Sequence, residues 1–179
     1  MTGGQLVCAG VLALPVLLYF YKAEGTAGRR PYDRSRETGL RVYLAATVLF
    51  FLYYMTVVTA INLSGLPGKD AAFQADWGTG AFTPLLLVLW AVVLSPVLEE
   101  LAFRGLLLRR VENAAGTLPA VLLSSLLFGL YHGNLTQGIA AAAAGLLLGY
   151  AYVKTDSLLV TVVMHAAVNL ASFLFLLPG

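Results

Sequence analysis

Apolar residues gather in six stretches, about 5–21, 40–63, 83–108, 118–132, 136–153 and 157–177, divided by short polar breaks. A helix crossing a bilayer needs roughly 20 apolar residues at 1.5 Å of rise each. Each stretch reaches or approaches that length, the fourth and fifth being short, so the pattern predicts six spanning helices. The break between the fourth and fifth, Gly133-Asn134-Leu135-Thr136, is tight and predicts a helical hairpin. Local chemistry marks the boundaries. Thr83 precedes Pro84 as an N-cap followed by a first-turn proline, and Thr117 with Pro119 repeats the device loosely. Asp156-Ser157 stands ready to cap the sixth helix. Pro96, inside the third stretch, removes a backbone hydrogen bond and is expected to bend that helix.

Composition sharpens this into a class. The chain is 59% hydrophobic and 11% charged, with mean hydropathy +0.82, against about 45–50% and about 25% in a soluble domain. The expectation is an all-α, polytopic transmembrane bundle of about six spans. A net charge of +2 is too small to point to nucleic acid, and Cys8, the one cysteine, suits neither an intrachain disulfide nor a zinc motif. The first apolar stretch lacks a basic leader and a clear cleavage site, so it reads as a retained span.

Charge then orients the chain. Lys22, Arg29, Arg30, Arg34, Arg36 and Arg41 lie between stretches one and two, Arg104, Arg109 and Arg110 between three and four, and Lys154 before six. Only Lys69 falls on the other side, in segment 64–82, where Trp77 suits an interface anchor. Positive residues stay cytoplasmic, so both termini are expected outside; the alanine- and glycine-rich composition fits a bacterial protein, and the expected location is a bacterial inner membrane. Residues 1–82 read as two helices with a basic cytoplasmic loop and an external loop, and 83–179 as a four-helix core. The alanine-rich run 139–149 supplies small residues for close helix packing.

Ionisable groups within such a chain require a reason, since a charge at mid-bilayer costs roughly 2.5–3.5 kcal/mol even on the lenient insertion scale. Glu99 lies ten residues before Arg109, about 15 Å into the layer. His132 lies about 22 Å and His165 roughly 12 Å from the same side, less with tilt, and Asn169 follows His165 by one turn. The only two histidines thus share a band of depth with the adjacent carboxylates. Neighbours on a helix point about 100° apart, so Glu99 and Glu100 are expected to do different jobs. Glu100 and Arg104, at i and i+4, form a pair, which leaves Glu99 unpaired within its helix. A desolvated glutamate near histidine suits a general base for water, and an imidazole with an amide suits oxyanion donors. The set points to peptide-bond hydrolysis inside the membrane.

The motifs Glu99-Glu100-x-x-x-Arg104, Phe128-x-x-x-His132 and His165-x-x-x-Asn169 resemble those of the CPBP (Abi, CAAX-protease-like) intramembrane proteases. The family includes the prenyl-protein CAAX endopeptidase, bacteriocin-processing and self-immunity proteins, and myxosortase-type enzymes. The likeness covers about residues 84–173. It implies a glutamic-type mechanism in which Glu99, assisted by His132, activates water, and His165 and Asn169 stabilise the oxyanion. Glu100 and Arg104 would be structural or position the substrate. No cofactor is expected; zinc on Glu99, His132 and His165 is the disfavoured variant, since no HExxH motif is present.

The expected function is an intramembrane endopeptidase that cleaves a C-terminal tail or leader from a membrane-associated protein, with the lipid bilayer and that protein or peptide substrate as its partners. The alternatives are a proton-coupled transporter, which predicts inverted repeats that the sequence does not display, and a non-catalytic immunity or binding protein on the same scaffold.

Overall fold

The computed structural model describes residues 88–133 and 135–176, and before them residues 12–19 with 22, 41, 44, 45, 48, 50, 52, 56 and 59. The described residues are helical, without a strand. The first two predicted spans, the loop 64–82 with Trp77, the Thr83-Pro84 cap and Asn134 lie wholly or largely outside the described residues.

Four helices carry the site. The first, α1, is a composite: Leu89–Leu94 is π-helical, Ser95–Glu100 α-helical, Leu101–Leu108 π-helical again and Arg109–Ala115 α-helical. A π turn holds an extra residue in its i→i+5 ring and shifts the side chains beyond it. The two π stretches therefore bracket the segment that holds both glutamates. Pro96 is accommodated by widening the turn before it, and the Ser95 N–H reaches back to Trp90 O.

The third stretch does not stop at residue 108, and Arg104, Arg109 and Arg110 are helical instead of forming a connection. Arginine is a good helix former, and nothing breaks the helix until Gly116. That glycine has φ +90°, where a side chain would be strained. It makes the whole turn into α2, Thr117–Tyr131. Pro119 sits in the first turn of α2, where its missing N–H costs nothing. Thr117 does not cap; its hydroxyl donates to Glu112 Oε1 at 2.8 Å.

Helix α3, Leu135–Thr155, forms the predicted hairpin with α2 across a turn at Gly133 (φ +66°). The two backbones nearly touch. A Cβ on Gly129 would lie 2.6 Å from Gly138 O and 2.8 Å from Ala142 Cβ. One on Gly145 would lie 3.0 Å from Ser125 Cα. Helix α4, Leu158–Leu176, starts at the predicted cap, where Ser157 Oγ accepts the Val160 N–H. Asp156 takes the left-handed region (φ +48°) and pairs with Arg109 at 3.2 Å, tying α1 to the α3–α4 turn.

Helix α4 packs against α1 and α3, and α2 packs against α1 and α3. Phe50, Leu148, Val160, Met164 and Val168 form one buried cluster. Leu108, Ala120 and Tyr152 form another near Arg109. The opposite face of α2 exposes Leu118, Leu122, Leu126 and Leu130 at every fourth position. Among the described residues one helix, Leu135–Thr155, is long and apolar enough to cross a membrane; Thr117–Tyr131 and Leu158–Ser172 are shorter apolar helices.

Candidate active site

The charged pair forms as the spacing dictates. Arg104 Nη1 donates to Glu100 Oε1 at 2.9 Å, and both side chains are fully buried. Such burial is tolerable only because each charge compensates the other. Arg104 gains two further anchors: Nη2 donates to Gly145 O at 3.3 Å, and the guanidinium lies 4.5 Å from the centre of the Phe128 ring. The close approach that Gly145 permits thus also lends Arg104 a carbonyl. This network joins α1, α2 and α3.

His165, from α4, stands between the two adjacent carboxylates. Its Nδ1 is 3.0 Å from Glu100 Oε1, and its Nε2 is 3.7 Å from Glu99 Oε2. The glutamates therefore address one ring from different nitrogens while keeping different surroundings. Glu100 is sealed against Arg104. Glu99 retains 12% of its side-chain exposure. A carboxylate only accepts, so the Nδ1 facing Glu100 carries a proton.

Glu99 is not unpaired within its helix. Ser95, one turn before it, donates Oγ–H to Glu99 Oε1 at 2.5 Å. The other oxygen, Oε2, is buried and has no hydrogen-bond partner among the described residues. One carboxylate oxygen is thus held, and the one nearest His165 keeps its lone pairs. Ser95 was missed by sequence reasoning, although its i, i+4 spacing to Glu99 repeats the spacing that revealed Glu100 and Arg104.

His132 follows the last residue of α2, and its Nδ1 lies 2.8 Å from Phe128 O. That bond fixes the ring one turn from the residue that organises the site. Phe128 presents an edge-on contact to His132 at 4.9 Å and another to His165 at 5.7 Å. One ring therefore touches both histidines and Arg104. Tyr131, which could line the site, is mostly exposed and lies against His132 and Phe103. Phe103 packs on Phe128 at 5.1 Å.

Asn169 lies one turn beyond His165 and reaches another partner. Its Nδ2 donates to the backbone carbonyl of Ala91 at 2.8 Å, in the first π stretch of α1. One N–H of the amide expected as an oxyanion donor is therefore committed to backbone.

Among the described residues no three His, Cys, Asp or Glu side chains stand close enough to hold a metal ion. His165 faces Glu100 with one nitrogen and Glu99 with the other, and His132 uses Nδ1 on a carbonyl.

The family model for type II CAAX prenyl endopeptidase Rce1-like proteins matches residues 81–171, slightly over half of the chain, and spans all three motifs. A curated protein of Bacillus subtilis (strain 168), named "Putative membrane peptidase YdiL", is 28% identical over 86 residues. That alignment covers 48% of this chain and 35% of the relative, so the chain matches about a third of the relative's length. No solved structure matches. On the strength of the family match and the residues within it, the chain belongs to the type II CAAX prenyl endopeptidase Rce1-like family.

Proposed function

We propose that the protein is a glutamic-type intramembrane endopeptidase. The observation that carries this reading is Glu99 Oε2, a buried carboxylate oxygen without a hydrogen-bond partner among the described residues, 3.7 Å from His165 Nε2. Glu99 takes a proton from water as the oxygen attacks the scissile carbonyl. Ser95 holds the far oxygen so that the reacting one keeps its aim. His132, fixed through Nδ1, has Nε2 left to orient the same water or to pass the proton to the leaving amine. His165, when doubly protonated, keeps Nδ1–H on Glu100 and offers Nε2–H to the developing oxyanion. Asn169 has a second N–H left for the same oxygen. Glu100 and Arg104 orient His165 and do not react.

The surrounding protein is a multi-pass membrane protein of about six spans, with residues 1–82 forming two helices and 83–179 the core. The leucine stripe on α2 supports a lipid-facing surface, since exposed apolar area on that scale marks an interface. The basic residues of segment 22–41 support outward-facing termini, and the alanine- and glycine-rich composition suits a bacterial inner membrane. The substrate is a membrane-associated protein carrying a C-terminal tail or leader; a sorting tail or leader suits a bacterial setting better than a prenylated one. The test is mass spectrometry of membrane proteins from a deletion strain. Retained tails or leaders that disappear on complementation support the reading, and an unchanged membrane proteome contradicts it.

A further inference from the structure

We infer that Asn169 is above all a positioning residue: it fills a backbone vacancy created by Pro96 and so locks α4, with His165, against α1. The inference rests on the proteolytic reading for its activity readout only.

The argument is a count of backbone donors. In an α-helix the carbonyl of Ala91 accepts the N–H of Ser95. Here the Ser95 N–H goes to Trp90 O, in the wider π register. In that register the donor for Ala91 O is the N–H of residue 96, and residue 96 is proline, which has none. Neither register supplies Ala91 with its partner, and a carbonyl left unpaired away from water is costly. The Asn169 amide meets that need at 2.8 Å. Asn169 sits one turn after His165 on α4, and Ala91 lies two turns before Glu99 on α1. The contact therefore fixes the register between the two helices whose side chains meet at 3.7 Å in the site. The larger share of Asn169's effect on catalysis comes from this lock, and its free N–H contributes the smaller.

The test is a double-mutant cycle on the full chain. Asn169→Ala should lower kcat by at least tenfold and lower the unfolding temperature. Pro96→Ala returns an N–H to position 96. In the Asn169→Ala background it should restore most of the unfolding temperature, because Ala91 O regains a donor within α1, but not kcat, because α4 stays untied from α1. Pro96→Ala alone should also lower kcat, because Ala91 O then has a donor within α1 and the intact Asn169 no longer ties α4 to it, whereas a dominant oxyanion role leaves that variant fully active. If Pro96→Ala alone keeps full kcat, or if the double variant regains kcat along with stability, the positioning role is overturned. If the two sites show no coupling in unfolding temperature, the lock itself is overturned, whether or not the protein is a protease. Pro96→Ser supplies the same N–H should Pro96→Ala not fold.

Discussion

His165 Nε2 stands 3.7 Å from Glu99 Oε2, which joins the third motif of the sequence to the first. The distance is long for a direct hydrogen bond, whose N···O separation is about 2.7–3.2 Å. It is short enough for both atoms to act on one small reactant. The neighbours hold each partner in place: Ser95 bonds the other oxygen of Glu99, Glu100 faces the other nitrogen of His165, and Phe128 meets the His165 ring edge-on.

Breaking the buried pair should unfold the core before it alters specificity. Removing Arg104 or Glu100 alone strands the other charge within α1, α2 and α3. A loss of about 3–5 kcal/mol is expected for Arg104→Ala or Glu100→Ala. The combined Glu100→Leu/Arg104→Met variant should be markedly more stable than either single variant and still inactive, because His165 loses its orienting carboxylate. Thermal unfolding with a parallel cleavage assay checks both halves.

Ser95 tests the holding of the general base. Ser95→Ala removes a hydrogen bond to a carboxylate, worth about 1.5–3 kcal/mol. The expected outcome is a kcat reduced on the order of tenfold or more with KM little changed. Ser95→Thr, which keeps the hydroxyl, should retain most activity. Equal losses in both variants would mean that packing at position 95, and not the hydroxyl, matters.

The α2–α3 hairpin has no room at Gly129. A methyl group there would meet Gly138 O at 2.6 Å, which is backbone and cannot rotate away. Gly129→Ala should cost about 1–3 kcal/mol through overpacking and loosen His132, three residues on. Gly133→Ala, where the added carbon meets open space but φ is +66°, should cost less. Unfolding temperatures of the two variants compare directly.

Helix existence was plain in the sequence because apolar runs leave little choice of structure. Stretches 118–132, 136–153 and 157–177 reappear as Thr117–Tyr131, Leu135–Thr155 and Leu158–Leu176. The third run was read too short because basic residues mark a membrane edge without ending a helix; Gly116 ends it. The Glu100–Arg104 pair was legible because its spacing is local. Neighbours from different helices were not: no periodicity indicates that His165 meets both glutamates, that Phe128 touches both histidines or that Gly145 lends Arg104 a carbonyl. Asn169 was legible as a polar group aimed inward. Its partner, Ala91 O, is a backbone atom that becomes available only through the register shift before Pro96.

Cleavage by the purified protein of a peptide tethered in proteoliposomes, with Glu99→Gln and His132→Ala alongside, tests the central claim most directly. The wild-type chain should cut the peptide. Each variant should fall by about 10²–10⁴-fold, the usual worth of a general acid or base, while remaining folded. Full cleavage by Glu99→Gln, or proton flux that depends on Glu99 without any proteolysis, would contradict the account.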